Sequence, residues 1–198
     1  MDEAINSLLN AHHYFETQGS GYKNWGRVNV LQIALQVSPT EFLLTDGNKT
    51  LQQLTKAEIQ SVSSSASLFQ QIFSKRKRIG CILITKQQYA SQLMVDVPAI
   101  LDDQAQLLGV SIRIAKSEND ILRALNSRFA AILPDGRSIC IGATMDEAYV
   151  AAQLLEKTSK VFIEAKHIGG AVPINKIEAW LMQQYYQLKY SRESVKNR

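Results

Sequence analysis

The chain has 198 residues, 45% hydrophobic and 20% charged, which suits one globular domain with a full core. Its net charge of +4 is only mildly basic, and no apolar run reaches the roughly 18 residues that span a bilayer. The first residues, MDEAINSLLNAHHYF, are acidic and amphipathic, unlike a secretory signal.

Residues 2–17 carry Ile5, Leu8, Leu9, His12, Tyr14 and Phe15 at helical spacing. The stretch 17–26, TQGSGYKNWG, holds three glycines and reads as a loop. Residues 28–37 and 42–45 are β-rich, with a hairpin turn at Ser38-Pro39-Thr40. Thr55 opens a short helix, with Glu58 in the capping-box position. Residues 63–74 predict another helix with Leu68, Phe69, Ile72 and Phe73 turned inward. The run 79–85, IGCILIT, is apolar throughout, as a strand covered on both faces would be. A helix follows over 87–94, then another from Pro98 to Leu108, ended by Gly109. Residues 110–115 alternate as a strand, and Ser117 caps a helix to about Arg128. Segments 129–133 and 138–141 flank Pro134-Asp135-Gly136-Arg137 and predict a β-hairpin. Thr144 caps a long helix to about His167, with Glu147 in the capping-box position, and Gly169-Gly170 ends it. Residues 174–190 form a last amphipathic helix. Residues 1–190 thus predict a single α/β domain, a three-layer α/β/α arrangement around a central mixed sheet, and 191–198 a disordered tail.

Cys81 and Cys140 sit in apolar, strand-like runs and read as buried free thiols, which fits a reducing cytoplasm. The basic cluster Lys75, Arg76, Lys77 and Arg78 lacks interleaved aromatics, so it reads as a solvated corner rather than a nucleic-acid contact. His12 and His13 point in different directions on a helix and cannot share a metal in the i, i+4 manner. No Ser–His–Asp elbow, Walker loop or dinucleotide glycine fingerprint is present.

Four segments in order carry a family resemblance: FLLTDGNKTLQQLT (42–55), ILITKQQYASQL (82–93), VPAILDDQAQLLG (97–109) and FAAILPDGRSICIGATMDEAYVAAQLLE (129–156). Together they resemble the class II aldolase/adducin family, whose sugar-phosphate enzymes hold zinc with histidines. The resemblance implies that fold, commonly as a homo-oligomer, often a tetramer. It also places a vestigial site at Ser65, Ile84, Lys86 and Asp135. The family's His-x-His strand end, where period two aims both imidazoles at one ion, here reads Ile84 and Lys86. The turn bearing the third histidine reads Pro134-Asp135-Gly136, and the position of the catalytic glutamate falls near Ser65, within Ser63-Ser64-Ser65. Ser63, Ser64, Gly47 and Asn48 stand where phosphate contacts would be.

Isoleucine, lysine and one aspartate do not make a zinc site. No metal or other cofactor is expected, and no catalytic residue is assigned. Lys86 and Asp135 read either as an ion pair standing in for the metal or as solvated rim residues. A Schiff-base role for Lys86 would need a depressed pKa, which a nearby Asp135 would oppose. The sequence supports a non-catalytic binding or assembly protein. The alternative is a sugar-phosphate aldolase, epimerase or dehydratase with rebuilt chemistry. The expected partners are further copies of the chain and a phosphorylated small molecule, with neither nucleic acid nor membrane.

Overall fold

The computed structural model describes residues 1–19, 25–63 and 67–196. A long first strand, β1 (Val28–Ser38), turns into β2 (Glu41–Thr45), and β3 (Ile59–Val62) runs back along β2. β4 (Cys81–Gln87) pairs with the other side of β1. β8 (Ser138–Gly142) and β7 (Ala130–Ile132) complete the order β3-β2-β1-β4-β8-β7. These ladders are antiparallel, and the parallel component is the bridge Ile114–Ile132 at the β7 edge. β5 (Val97–Pro98) and β6 (Ser111–Ile112) form a separate two-stranded ladder.

Alternation along the strands builds the layers. Cys81 and Leu83 of β4 join one core with Val30, Leu43 and Cys140. Their neighbours Ile82 and Ile84 join another with Ala34, Phe42, Ile139 and Ile141. Successive side chains point to opposite faces, so 79–85 is apolar throughout because both faces are covered. The first face carries α1 (Asp2–Leu9), α2 (Ala11–Gly19) and α6 (Met145–Ala165). The second carries α3 (Leu68–Lys75) and α5 (Ile121–Ala124). α4 (Asp102–Leu108) and α7 (Lys176–Lys196) pack on each other through Ala105, Ala179 and Met182. This is the expected single α/β domain in three layers, and among the described residues no helix is long and apolar enough to cross a membrane.

α6 lies close on the sheet because Ala148, Ala151 and Ala152 face it, all fully buried. A Cβ on Gly142 would fall 2.3 Å from the backbone N of Ala148. At the helix start Thr144 Oγ1 accepts from Glu147 N (3.2 Å), as its position predicts. The Glu147 carboxylate reaches one residue further than in a capping box, to Ala143 N (2.9 Å). Gly169, in the left-handed region at φ 107°, closes the far end.

Several elements differ from the sequence expectation. The N-terminal helix breaks at Asn10 into α1 and α2, and residues 20–24 of the expected loop lie outside those described. β3 was not expected; it is short, and only half of it is screened from solvent. The expected helix 63–74 begins at Leu68, with Ser67 Oγ accepting from Gln70 N. The helix expected over 87–94 is a single 3-10 turn, Ala90–Gln92, because β4 stays paired through Gln87 opposite Val28. Pro98 lies in β5 rather than at a helix start. Gln104 holds that stretch extended, accepting from Ile100 N (2.9 Å) and donating to Pro98 O (3.0 Å). The expected strand 110–115 shrinks to β6 and the Ile114 bridge, and the helix 117–128 to the 3-10 turn Glu118–Asp120 and α5. α7 runs on to Lys196, into the segment expected as a tail, and residues 197 and 198 lie outside those described.

The basic corner is not wholly solvated. Lys75, Lys77 and Arg78 are exposed, but Arg76 turns inward. It donates to Leu125 O (2.9 Å) and Arg128 O (3.2 Å) and lies over the Phe129 ring. Gly142→Ala should destabilise the domain by about 1–3 kcal/mol through overpacking of β8 against α6. Urea unfolding with an unchanged m-value checks this.

Candidate functional site

The positions where the resemblance expects metal ligands are used otherwise. Ile84 is 5% exposed and packs in the second-face core with Ile82, Ile139 and Ile141. Lys86, two residues on, is exposed beyond the end of that core, opposite Asn29 of β1. Asp135 turns onto its own hairpin. Its carboxylate meets Arg137 Nε and Nη2, each at 2.7 Å, and accepts from Arg137 N (3.1 Å). Partial desolvation pushes the Asp135 carboxyl up, but the Arg137 backbone N–H and guanidinium outweigh it and hold it below its ordinary value. The substitute-ion pair Lys86–Asp135 is therefore replaced by Asp135–Arg137. One hydrocarbon, one exposed ammonium and one carboxylate already held by arginine do not fit zinc. Among the described residues no three His, Cys, Asp or Glu side chains converge as a metal-binding group.

The suggested phosphate contacts separate. Gly47 and Asn48 line a cleft of about 1240 Å³. Ser63 lines a different, smaller hollow with Pro39, Thr40 and Gln70. The unexpected strand β3 is the reason: pairing Phe42 with Val62 and Thr45 with Ile59 carries Ser63 to the far end of β2. That end lies roughly 13 Å of strand away from Thr45. Ser64 and Ser65 lie outside the described residues.

The cleft opens where β1 begins. Arg27 and Asn29 stand on its strand wall, and Asn48 and Lys49 on the loop after β2. Phe15 of α2, Trp25 and Tyr149 of α6 supply aromatic surface. Tyr149 is fixed in place, its ring tilted against Phe15 at 4.6 Å between centroids, with its hydroxyl donating to Phe15 O (3.4 Å). His12 Nε2 bridges the rim, 3.1 Å from Glu16 Oε1 and 2.7 Å from the Gln52 side-chain amide. Arg27 and Lys49 form no ion pair among the described residues. Two cations, the side-chain amides of Asn29, Asn48, Gln52 and Gln153, and aromatic surface suit an anionic, hydroxylated small molecule.

Glu156, on the floor, is the residue that the sequence reading did not single out. It is 1% exposed, and its carboxylate accepts from Tyr89 N (2.9 and 3.0 Å) and Ala90 N (3.0 Å). Burial pushes its carboxyl up against the pull of these N–H groups, and the net direction is up. Gly26 rests directly on it; a Cβ there would fall 2.3 Å from Glu156 Oε1. The signal in the sequence was a glutamate amid the apolar face of a long helix. Such a residue is almost never fully buried without partners. The carboxylate is thus engaged by backbone and holds the cleft's shape.

Two outcomes check this description. Lys86→Ala should change stability by no more than about 0.5 kcal/mol, as for an exposed residue free of special features; a large drop in melting temperature would restore the substitute-ion pair. Glu156→Gln, which sets an amide NH₂ among backbone N–H donors, should cost about 1–3 kcal/mol. It should also flatten the pH profile. With the folded carboxyl titrating above its unfolded value, the native contribution is full below the unfolded value and is lost as pH rises through the folded one. Chemical denaturation across the acid range measures both.

Residues 34–163 match the class II aldolase and adducin N-terminal domain family. No protein of curated function matches the chain by sequence. Among solved structures, an L-fuculose 1-phosphate aldolase superposes with a TM-score of 0.75 at 14% identity, covering 94% of this chain and 97% of its own. The L-fuculose 1-phosphate aldolase from Glaciozyma antarctica PI12 gives 0.67 at 15% identity, covering 98% and 88% respectively. The sugar-phosphate aldolase from Thermotoga maritima gives 0.57 at 12%, covering 87% and 98%. Identities this low show a shared fold and leave activity to the site itself. With most of its length inside the family match and the three-layer fold in common, the chain belongs to the class II aldolase and adducin N-terminal domain family.

Proposed function

We propose that this protein is a non-catalytic member of its family, a cytoplasmic, self-associating protein that binds a phosphorylated, hydroxylated small molecule without a metal. One observation carries the reading. Of the positions where the resemblance expects metal ligands, Ile84 is sealed into a core, Asp135 is paired with Arg137 and Lys86 is exposed, while a cleft with two cations stays open. Zinc-dependent carbon–carbon cleavage needs a Lewis acid with an open coordination position, and these side chains do not build one. The buried carboxylate in the cleft is engaged by backbone N–H groups and is not aimed at a ligand. What remains is recognition: Arg27 and Lys49 for the anion, Asn29 and Asn48 for hydroxyls, aromatic surface for the carbon skeleton. Cys81 and Cys140 are fully buried, and burial raises both thiols, Cys140 to about 12, so they stay protonated and inert. Rebuilt catalysis through Lys86 lacks support, because that amine is in solvent rather than in the apolar pocket a nucleophilic lysine requires.

Calorimetry with a panel of aldose and ketose phosphates, in excess chelator, tests this. A phosphorylated sugar should bind, its unphosphorylated form should bind much more weakly, and neither should be turned over. Removing one charge-assisted contact costs about 1.5–3 kcal/mol, so Arg27→Ala or Lys49→Ala should each weaken binding by roughly ten- to a hundredfold. Stoichiometric metal in the purified protein, with aldol cleavage that the chelator abolishes, would overturn the proposal.

A further inference from the structure

Three side chains of α6 share the face that walls the cleft: Tyr149, Gln153 one turn on, and Glu156 one turn beyond that. Two of them are committed to the protein. The Tyr149 hydroxyl donates to Phe15 O, and the Glu156 carboxylate accepts from the Tyr89 and Ala90 N–H groups. Gln153 is 5% exposed, yet its Nε2 has no hydrogen-bond partner among the described residues. Its polar neighbour is Tyr149: burial pushes that phenol up, and the nearby Gln153 amide draws it part of the way back, without the geometry of a hydrogen bond between them. The other side-chain amides lining the cleft are satisfied in other ways. Gln52 pairs with His12, Asn48 Nδ2 donates to Asp46 Oδ1 (3.0 Å), and Asn29 is exposed to solvent. A buried amide left without a partner is destabilising, and native proteins keep few of them.

We infer that Gln153 is a specificity-determining residue of the cleft: its amide takes a hydroxyl of the bound sugar phosphate, on the part of the ligand that lies against α6. The inference rests on the ligand class in the proposed function and names the residue that selects within it. The cations stand on other elements, Arg27 at the start of β1 and Lys49 on the loop after β2, so the phosphate and the hydroxyl are held from different walls. A half-turn of the amide exchanges its NH₂ for its carbonyl, so this one position offers either a donor or an acceptor. A hydroxyl matches both. A deoxygenated carbon matches neither and leaves the amide unpaired. A site that buries such an amide therefore rejects a deoxy ligand more strongly than lost contact area alone would. The cost of the unpaired amide is carried by the free protein and lifted by the right ligand, so Gln153 adds to selectivity rather than to stability.

Gln153→Met in the full chain tests the inference, since it keeps the length and volume of the side chain and removes the amide. Circular dichroism and thermal melting follow the fold. Calorimetry measures aldose and ketose phosphates, each beside its singly deoxygenated forms, and NMR titration measures inorganic phosphate. The variant should melt no lower than the wild type, because an unpaired buried donor has gone. It should bind inorganic phosphate unchanged and the wild type's preferred sugar phosphate roughly tenfold more weakly. It should also lose the wild type's preference for that sugar phosphate over one of its deoxygenated forms. Unchanged sugar-phosphate affinity and selectivity in Gln153→Met would overturn the inference and leave the proposed function standing. A lower melting temperature with every affinity reduced alike, inorganic phosphate included, would make the amide a structural group and overturn the inference too. A wild type that binds no sugar phosphate would overturn the proposed function, and this inference with it.

Discussion

A carboxylate buried without a cation ties together the three backbone segments that shape the cleft. Glu156 projects from the sheet-facing side of α6, accepts the N–H groups of Tyr89 and Ala90 where β4 ends, and carries Gly26 where β1 is about to begin. Burying a charge is costly unless every oxygen is satisfied. Here the cost is offset by backbone N–H donors, whose positions depend on the register of β1 against β4. Removing the carboxylate would therefore loosen the cleft wall, the helix and the strand exit at once. The close approach of α6, permitted by Gly142 and a run of alanines, is what brings Glu156 within reach.

The same strand register accounts for the surroundings of the positions where the family resemblance expects metal ligands. β4 is central in the sheet and covered on both faces, so a residue at position 84 faces a core whatever its chemistry. Isoleucine satisfies that environment outright. At position 86 the strand has run past the core, and lysine reaches water. Asp135 forms an ion pair within its own turn, with Arg137 Nε and Nη2 both on Oδ2, so its charge is already met. Each of these residues is locally satisfied.

Two features of the molecule face outward: a cleft bearing cations on the first face and an apolar stripe on the last helix, where Ile177, Trp180, Leu181, Tyr185 and Leu188 are exposed. They do not share residues. α7 is anchored through Gln183 and Ala179 to the α4 side of the domain, whereas the cleft is built from α2, β1, the loop after β2 and α6. The two surfaces are thus built from different residues, and α6 lines the cleft and packs against α4.

By itself the sequence determined the layers and the unsuitability of residues 84, 86 and 135 as a zinc-binding set. Strands β1, β2, β4 and β8 and helix α6 were legible because hydrophobic period, turn residues and caps all agree there, as at Thr144 and Ser38-Pro39-Thr40. Ile84, Lys86 and Asp135 were legible because side-chain chemistry alone disqualifies them as a zinc triad. Tertiary structure decided what local pattern leaves open. It placed Arg137 rather than Lys86 on Asp135, sent Ser63 to the far end of β2 through a strand too short and polar to be foreseen, and turned Arg76 inward. It replaced the helix after Gln87 by one turn, because pairing with β1 claimed those residues first. Glu156 is the extreme case: its partners lie more than sixty residues away in sequence. The glutamate amid an apolar helix face was a local signal of burial, but only the packed fold supplies the N–H groups that make that buried carboxylate tolerable.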